Sequence, residues 1–115
     1  MIETYDVLLS DEALNDLEEI YSYIAFSLQA PVAAVLQVNC IRTEIKSLCS
    51  MPERYVLVDW EPWHSMNMHR VVVDSYIVFY LVNNSEAVVD IVRIFYGERD
   101  IEGIVRASAD REYDR

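Results

Sequence analysis

Hydrophobic residues recur at helical spacing along the first half of the chain. The alternating segment Tyr5–Leu9 predicts a short strand, and Ser10 after it supplies a capping side chain for a helix. Two apolar stripes predict amphipathic helices over about 11–28 and 31–49, with Pro31 suited to the first turn of the second helix. The stripes consist of Leu14, Leu17, Ile20, Tyr21, Ile24, Leu28, Val32, Val35, Leu36, Ile41, Ile45 and Leu48. Such a helical hairpin must bury its apolar side on another layer of structure.

The second half of the chain has the pattern of a β-sheet. Four segments are rich in β-branched and aromatic residues, namely Arg54–Trp60, Met68–Val73, Tyr76–Val82 and Val88–Phe95. Turn-forming residues separate the last three at hairpin lengths, and Ile101–Ala109 predicts a short C-terminal helix. We therefore predict one α+β domain over residues 1–115, in which an N-terminal strand and an antiparallel helical hairpin pack on a curved antiparallel sheet. The predicted order is β-α-α-β-β-β-β with a short C-terminal helix.

Charge is unevenly distributed along this acidic chain, whose net charge is −11. Residues 1–41 hold seven acidic and no basic residues, whereas residues 42–99 hold eight acidic and six basic ones. The carboxylates Asp16, Glu18 and Glu19 fall off the apolar stripe of the first helix, which predicts a solvated acidic face. A uniformly acidic surface disfavours broad binding to phosphate backbones, but this segregation leaves room for a local basic site.

The chain contains no apolar run near the ~20 residues of a membrane span and no signal-peptide pattern, so we expect a cytoplasmic protein without membrane contact. Cys40 and Cys49 lie nine residues apart in one predicted helix, a separation of ~13 Å that excludes a disulfide. Neither has a Cys or His at metal-ligand spacing, so we expect reduced, mostly buried cysteines, no metal site and no cofactor.

Four segments occur in a characteristic order along the chain: Tyr5–Ile24, Leu48–Pro52, Arg70–Val82 and Val92–Asp100. Together they resemble the RelE/ParE toxin superfamily. Tyr5–Ile24 is similar to the family's first strand and helix, and Leu48-x-x-x-Pro52 to the end of its second helix. Arg70-x-Val72-Val73-x-x-Tyr76-Ile77-Val78-Phe79-Tyr80-x-Val82 resembles the family's central strands. Val92-Arg93-Ile94-Phe95-Tyr96-Gly97-Glu98-Arg99-Asp100 is similar to its C-terminal "VxRILYGxRD" ending.

The resemblance implies the toxin of a type II toxin–antitoxin system, neutralised by a cognate antitoxin. RelE-like members cut messenger RNA in the ribosomal A site, whereas ParE-like members inhibit DNA gyrase. Three functions therefore stay open: a ribosome-dependent endoribonuclease (an mRNA interferase), a gyrase inhibitor that binds without catalysis, and an inactive toxin fold that retains only binding.

The resemblance also implies candidate residues for RNA cleavage. Arg70 and Arg93 match the strand arginines that would clamp a phosphate, and Tyr96 lies where RelE-like members carry an aromatic or His near the site. Arg99 and Arg54 are further candidates for contact with nucleic acid. Each of the strand arginines could instead be an ordinary salt-bridge partner, and Tyr96 could be an aromatic at the rim of the core.

The irregular segment 59–66 is rich in aromatic residues. Trp60, Trp63 and Met66 predict a contact surface for a protein partner, because aromatic residues and Met are enriched at interfaces. A general base drawn from the carboxylate and imidazoles nearby, Glu61, His64 and His69, is the alternative. So many apolar residues in a small domain predict an exposed apolar patch or a homodimer.

Overall fold

The computed structural model describes residues 4–97 and 101–105. Strand β1 (Asp6–Leu9) leads directly into helix α1 (Asp11–Ser22). Ser10 caps that helix, because its side-chain oxygen accepts a hydrogen bond from the backbone N–H of Ala13 at 3.0 Å. The helix continues as one π-helical turn over Tyr23–Ser27, so the predicted first helix over 11–28 has two parts.

Helix α2 (Pro31–Ser47) returns along α1 and completes the predicted hairpin. Pro31 occupies its first turn, as the missing N–H of proline allows. A 3-10 turn (Pro52–Arg54) follows the helix.

The sheet has four strands in the order β1-β4-β3-β2, with β2 at His69–Val73, β3 at Tyr76–Asn83 and β4 at Val88–Tyr96. The last three strands form an antiparallel meander, which joins β2 to β3 through a tight turn with Asp74 at a φ of 55°. β1 pairs in parallel with β4. The predicted α+β class, with a helical hairpin on a mostly antiparallel sheet, is confirmed.

The predicted strand Arg54–Trp60 is wrong. Its start belongs to the 3-10 turn, and Leu57 makes only an isolated antiparallel bridge to His69. The chain turns back over residues 61–67, and the N–H of Val58 then donates to the carbonyl of Met68 at 2.8 Å. The first strand of the antiparallel meander consequently begins at His69.

Two hydrophobic cores lie on opposite faces of the sheet, as the alternation of side chains along each strand requires. On one face, Val78, Tyr80 and Ile94 pack against the buried side of the helical hairpin. On the other face, Phe79 and Phe95 pack under the 58–68 segment and the helical residues 101–105. The predicted C-terminal helix is therefore seen over 101–105, and residues 106–109 lie outside the described part.

The apolar stripe of α2 departs from the prediction. Ile41, Ile45 and Leu48 are buried as expected, but three large residues in the first half of the helix, Val32, Val35 and Leu36, are exposed. Ala34 faces inward in their place and packs against Ile24 and Ala25, because a small side chain lets the two helices approach closely. The cysteine prediction is also partly wrong, since both thiols are free but Cys40 is exposed. No helix among the described residues has the length and apolar character to cross a membrane.

Candidate functional site

The edge of β4 beyond β1 is supported by side chains from α1. The pairing of the two strands ends at Leu9 and Ile91, whereas β4 runs on to Tyr96. The hydroxyl of Ser10 donates to the carbonyl of Val92 at 2.8 Å. Further along, the N–H of Ile94 donates to the carboxylate of Asp16 at 2.9 Å. The side chains of Ser10 and Asp16 therefore form hydrogen bonds with backbone groups of β4 that a longer β1 would have paired.

Asp16 also forms a bidentate ion pair with Arg93. The guanidinium donates from Nε to Oδ2 at 2.8 Å and from Nη2 to Oδ1 at 3.0 Å. Asp16 is only 4% exposed, while the Arg93 side chain is 29% exposed, so the pair lies at the boundary between core and solvent. The planar fit of guanidinium to carboxylate makes this one of the stronger ion pairs available to a protein.

The surroundings of this pair are acidic. The guanidinium also lies over the ring of Phe95, 4.3 Å from its centroid. A shallow pocket beside it is lined by Asp11, Glu12, Asn15, Asp16 and Arg93. The positive charge of Arg93 is thus neutralised by one carboxylate and outnumbered by two more.

Arg70 lies on the same face of the sheet as Arg93 but two strands away. The register pairs Arg70 with Phe79 and Phe79 with Arg93, so the two arginines flank Phe79. Their backbones are about 10 Å apart, twice the spacing of neighbouring strands. The ring of Trp63 covers Phe79 at a centroid distance of 4.7 Å, and the space between the arginines is therefore filled by aromatic side chains.

Tyr96 lies on the other face of the sheet. It follows Arg93 by three residues in a regular part of β4, so alternation points the two side chains in opposite directions. Its ring packs against Tyr76 at 5.8 Å, in a groove of about 690 Å³ between the helical hairpin and the ends of β3 and β4. Burial, together with the neighbouring Tyr96 and Tyr23, raises the pKa of the Tyr76 hydroxyl. The three predicted catalytic residues consequently do not meet on one surface.

The other predicted nucleic-acid contacts differ in position. Arg54 closes the end of α2: its Nη1 donates to the carbonyls of Ser50 and Met51, and its Nη2 donates to the hydroxyl of Ser47 at 2.9 Å. The carbonyls of Ser50 and Met51 lie beyond Ser47, the last residue of α2, so these bonds hold the turn that follows the helix. Arg99 lies outside the described residues.

The aromatic segment folds back on its own sheet. Trp60 and Trp63 stack at 5.0 Å, and Trp63 is buried against Phe79 while Trp60 is half-buried. Met66 is exposed. Of the predicted partner contacts, Met66 thus offers the most open surface.

The two imidazoles beside this segment are held by backbone carbonyls. His64 Nδ1 lies 2.8 Å from the carbonyl of Val58, and His69 Nδ1 lies 2.9 Å from that of Tyr55. His69 is buried and stacked on Tyr80 on the helical face, opposite to its neighbour Arg70. Within the described ranges, no group of three His, Cys, Asp or Glu side chains has the geometry to hold a metal ion.

Asp16 is the residue of this site that the sequence pattern misassigned. The helical periodicity places it on a solvated acidic face with Glu18 and Glu19, yet it is the most deeply buried carboxylate among the described residues. The difference between a four-residue β1 and a nine-residue β4 is the signal that could have indicated it, since the excess of β4 needs partners.

Together, the helical hairpin, the β1-β4-β3-β2 sheet and the arginine of the last strand define a toxin fold of the RelE/ParE type. The family model that describes the ParE toxin of the type II toxin–antitoxin system parDE matches residues 7–101. The chain therefore belongs to the ParE toxin family, within the RelE/ParE superfamily.

Solved structures share the fold at low sequence identity. A chain of the chromosomal ParDE toxin–antitoxin system of P. aeruginosa is 19% identical, with a TM-score of 0.68 over 84% of this chain and 99% of that one. A chain of the RelBE2 toxin–antitoxin complex of Mycobacterium tuberculosis is 15% identical, with a TM-score of 0.59 over 84% and 94%. A chain of the archaeal RelE–RelB complex of Pyrococcus horikoshii is 19% identical, with a TM-score of 0.56 over 84% and 98%. No curated protein matches the chain in sequence.

Proposed function

We propose that this toxin acts by binding a protein target, DNA gyrase, without cutting RNA, and that a cognate antitoxin neutralises it. The observation that carries this proposal is the ion pair between Arg93 and Asp16. Two of the guanidinium nitrogens are engaged, and the nearest pocket carries the further carboxylates of Asp11 and Glu12. An RNA phosphate brought to Arg93 would have to displace one carboxylate and approach two others.

The other groups that RNA cleavage needs also lie in different places on the molecule. Metal-independent cleavage needs a base for the 2′-hydroxyl, cations at the phosphate and an acid for the leaving oxygen. Arg70 is an exposed cation, but Phe79 and Trp63 separate it from Arg93. Tyr96 lies across the sheet, and His69 is buried on that same far side. These positions support a mechanism that depends on surface contact and not on a catalytic set.

A protein target suits the surfaces of this molecule better. The groove beside Tyr23, Leu28, Tyr76 and Tyr96 presents aromatic and apolar side chains, which are enriched at protein interfaces. A net charge of −11 opposes contact with the phosphates of ribosomal RNA but does not oppose contact with a protein. The family match to the toxin of a parDE system, and the similar folds from ParDE and RelBE systems, support an antitoxin as the neutralising partner.

The two activities can be separated by induction in cells. We expect the chain, induced without an antitoxin, to stop growth and produce gyrase-linked DNA breaks without new messenger RNA ends. Co-expression of the antitoxin should prevent both effects. New messenger RNA ends at ribosomal positions without DNA breaks would contradict the proposal, and so would normal growth at full expression.

A pair of arginine variants sharpens this experiment. Arg70→Ala removes the exposed cation of the sheet face that a nuclease would use, and Arg42→Ala removes an exposed cation of α2. Both variants lose one positive charge, so a nonspecific charge effect would appear in both. We expect both to keep the DNA breaks. Loss of toxicity in Arg70→Ala alone, with loss of messenger RNA ends, would identify a nuclease.

A further inference from the structure

Three tyrosines line the groove between the helical hairpin and the ends of β3 and β4. Tyr76 and Tyr96 are paired across the two strands, and their ring centroids lie 5.8 Å apart. Tyr23 enters from the π-helical turn, and it is 57% exposed while Tyr96 is 41% exposed. Burial and the nearby hydroxyls of Tyr96 and Tyr23 raise the pKa of Tyr76, as is expected where phenolic groups lie close together. These residues, with Glu19 beside them, form the tyrosine groove.

The tyrosine groove carries negative charge, and none of the described residues that line it is Lys, Arg or His. Asp16 and Glu19 line it from α1, and the carboxylate of Asp16 is held by Arg93. Glu19 is exposed and accepts a hydrogen bond from Asn15 at 3.3 Å, but it forms no ion pair with any described residue. The rest of the hairpin side comes from residues 20–41, which contain no charged residue of either sign. Glu19 therefore offers a carboxylate at the edge of an aromatic surface.

Aromatic faces next to a carboxylate are suited to a cation. A guanidinium within about 6 Å of a ring centroid is attracted by the negative face of the ring, and its planar shape allows it to stack there while it donates to a carboxylate. We propose that the tyrosine groove binds an arginine side chain of the protein target, with its guanidinium over the tyrosine rings and against the carboxylate of Glu19. This inference rests on the proposed function, because it names the chemistry by which the toxin recognises the protein on which it acts.

The groove also has room for residues that flank the arginine. Its volume is about 690 Å³, and Ile20, Ile24 and Leu28 continue its wall toward the tip of the hairpin with apolar side chains. Where the groove meets the β2–β3 turn, Gln37 Nε2 donates to the carboxylate of Asp74 at 3.1 Å and so joins the wall from α2 to that turn. The matching segment of the target therefore has an arginine next to apolar residues.

Charge favours an arginine in this groove over other places and other occupants. The net charge of −11 attracts basic segments of a partner. The acidic pocket of Asp11 and Glu12 includes Arg93 in its own lining, so an arginine brought there would meet a like charge. In the tyrosine groove it would not, because Arg93 lies over Phe95 on the opposite face of the sheet. A purely apolar segment would cover Glu19 without giving its carboxylate a partner, which costs free energy.

Two peptides that differ in one charge test this recognition directly. Acetyl-leucyl-arginyl-leucinamide carries the guanidinium, and its citrulline counterpart replaces that group by a neutral urea of nearly the same shape. We expect the full chain to bind the arginine peptide at least about 10-fold more tightly at low salt, with the NMR shifts centred on Tyr23, Tyr76 and Tyr96. Equal affinity for the two peptides, shifts centred elsewhere, or no binding up to about 10 mM would overturn the proposal.

Substitutions in the groove test the role of the ring and of the carboxylate. Tyr23→Leu should reduce the preference for the arginine peptide about 5-fold, whereas Tyr23→Phe keeps the ring and should retain it. Glu19→Gln should reduce the preference as well, and more at low salt than at high salt. The matched controls are Phe26→Leu and Glu18→Gln, an exposed aromatic and an exposed carboxylate that do not line the groove. Equal losses in Tyr23→Phe and Tyr23→Leu, or in a control and its groove variant, would contradict the proposed contact.

The same variants distinguish this inference from the proposed function. We expect Tyr23→Leu to need about 10-fold more chain than wild type for half-maximal gyrase–DNA cleavage complexes with purified gyrase, and Phe26→Leu to match the wild type. Cleavage complexes formed equally by wild type, Tyr23→Leu and Glu19→Gln would overturn the inference and leave the proposed function standing. Loss of antitoxin binding alone in Tyr23→Leu would overturn it too, since the arginine would then come from the antitoxin. A wild-type chain without effect on gyrase would refute the proposed function, and the peptide titration would still decide whether the groove recognises arginine.

Discussion

Removing the carboxylate of Asp16 should destabilise the protein more than removing any other acidic side chain of α1. Asp16→Ala deletes the acceptor of two guanidinium hydrogen bonds and of the Ile94 N–H. Breaking a buried ion pair by losing one partner costs about 3–5 kcal/mol. Arg93 is 29% exposed and can recover water, which lowers that figure, whereas the buried N–H of Ile94 adds about 1–3 kcal/mol if it stays unpaired.

The expected total for Asp16→Ala is about 3 kcal/mol of unfolding free energy. For a domain of this size that corresponds to a Tm roughly 10–15 °C lower. Asp16→Asn keeps the shape and one acceptor oxygen, so we expect about half of that loss. Urea unfolding followed by circular dichroism measures both, with Glu18→Ala, an exposed carboxylate of the same helix, as the matched control within about 0.5 kcal/mol.

A double-mutant cycle isolates the ion pair from the rest of the loss. Arg93→Met keeps much of the stem that packs near Phe95 but removes the charge. We expect the Asp16→Ala and Arg93→Met effects to be coupled by about 1–3 kcal/mol. Effects that simply add, or an Asp16→Ala variant as stable as Glu18→Ala, would refute the reasoning that Arg93 is a structural cation.

Four further substitutions test other parts of the structure. Burial raises the pKa of the Tyr80 hydroxyl, which donates to the carbonyl of Pro52. The folded state therefore retains this proton above the pH near 10 at which an unfolded tyrosine loses it, so the free energy of unfolding should fall as pH rises above about 10. Unfolding series at pH 8 and 11 should show a smaller fall for Tyr80→Phe than for the wild type. Arg54→Ala should cost about 1 kcal/mol in thermal unfolding, because the turn after α2 loses the side chain that donates to the carbonyls of Ser50 and Met51. Trp63→Ala should cost about 3–4 kcal/mol in thermal unfolding and Trp60→Ala less; antitoxin binding lost at unchanged stability would indicate that Trp63 serves a partner instead.

The order of elements and the main hydrophobic segments could be predicted from the sequence because they depend on local periodicity. The β-branched and aromatic residues that fill Tyr76–Asn83 and Val88–Tyr96 identify these segments as strands whatever they pack against. The segment 54–60 has the same composition but makes too few strand contacts, since its course depends on how Trp63 packs over Phe79. Composition alone does not encode that long-range contact.

The helical stripe shows the same limit for burial. The predicted stripe groups Val32 and Leu36 with Ile41 and Ile45, although only the latter pair is buried. The step of five residues from Leu36 to Ile41 places the two pairs on opposite sides of the helix. The choice between two apolar sides of α2 is made by close packing of Ala34 on Ile24, which depends on the approach of two helices. Asp16 was misassigned for a related reason: its environment is the edge of β4, which is 78 residues away at Ile94.

Purified components offer the most direct test of the central claim, that this toxin acts through protein contact and not through RNA cleavage. The measurement is the yield of gyrase–DNA cleavage complexes formed by purified DNA gyrase as the purified chain is added, with messenger RNA on purified ribosomes assayed in parallel. We predict that cleavage complexes accumulate with added chain, that Arg70→Ala behaves like wild type, and that the messenger RNA stays intact. Cut messenger RNA with no effect on gyrase would contradict the account.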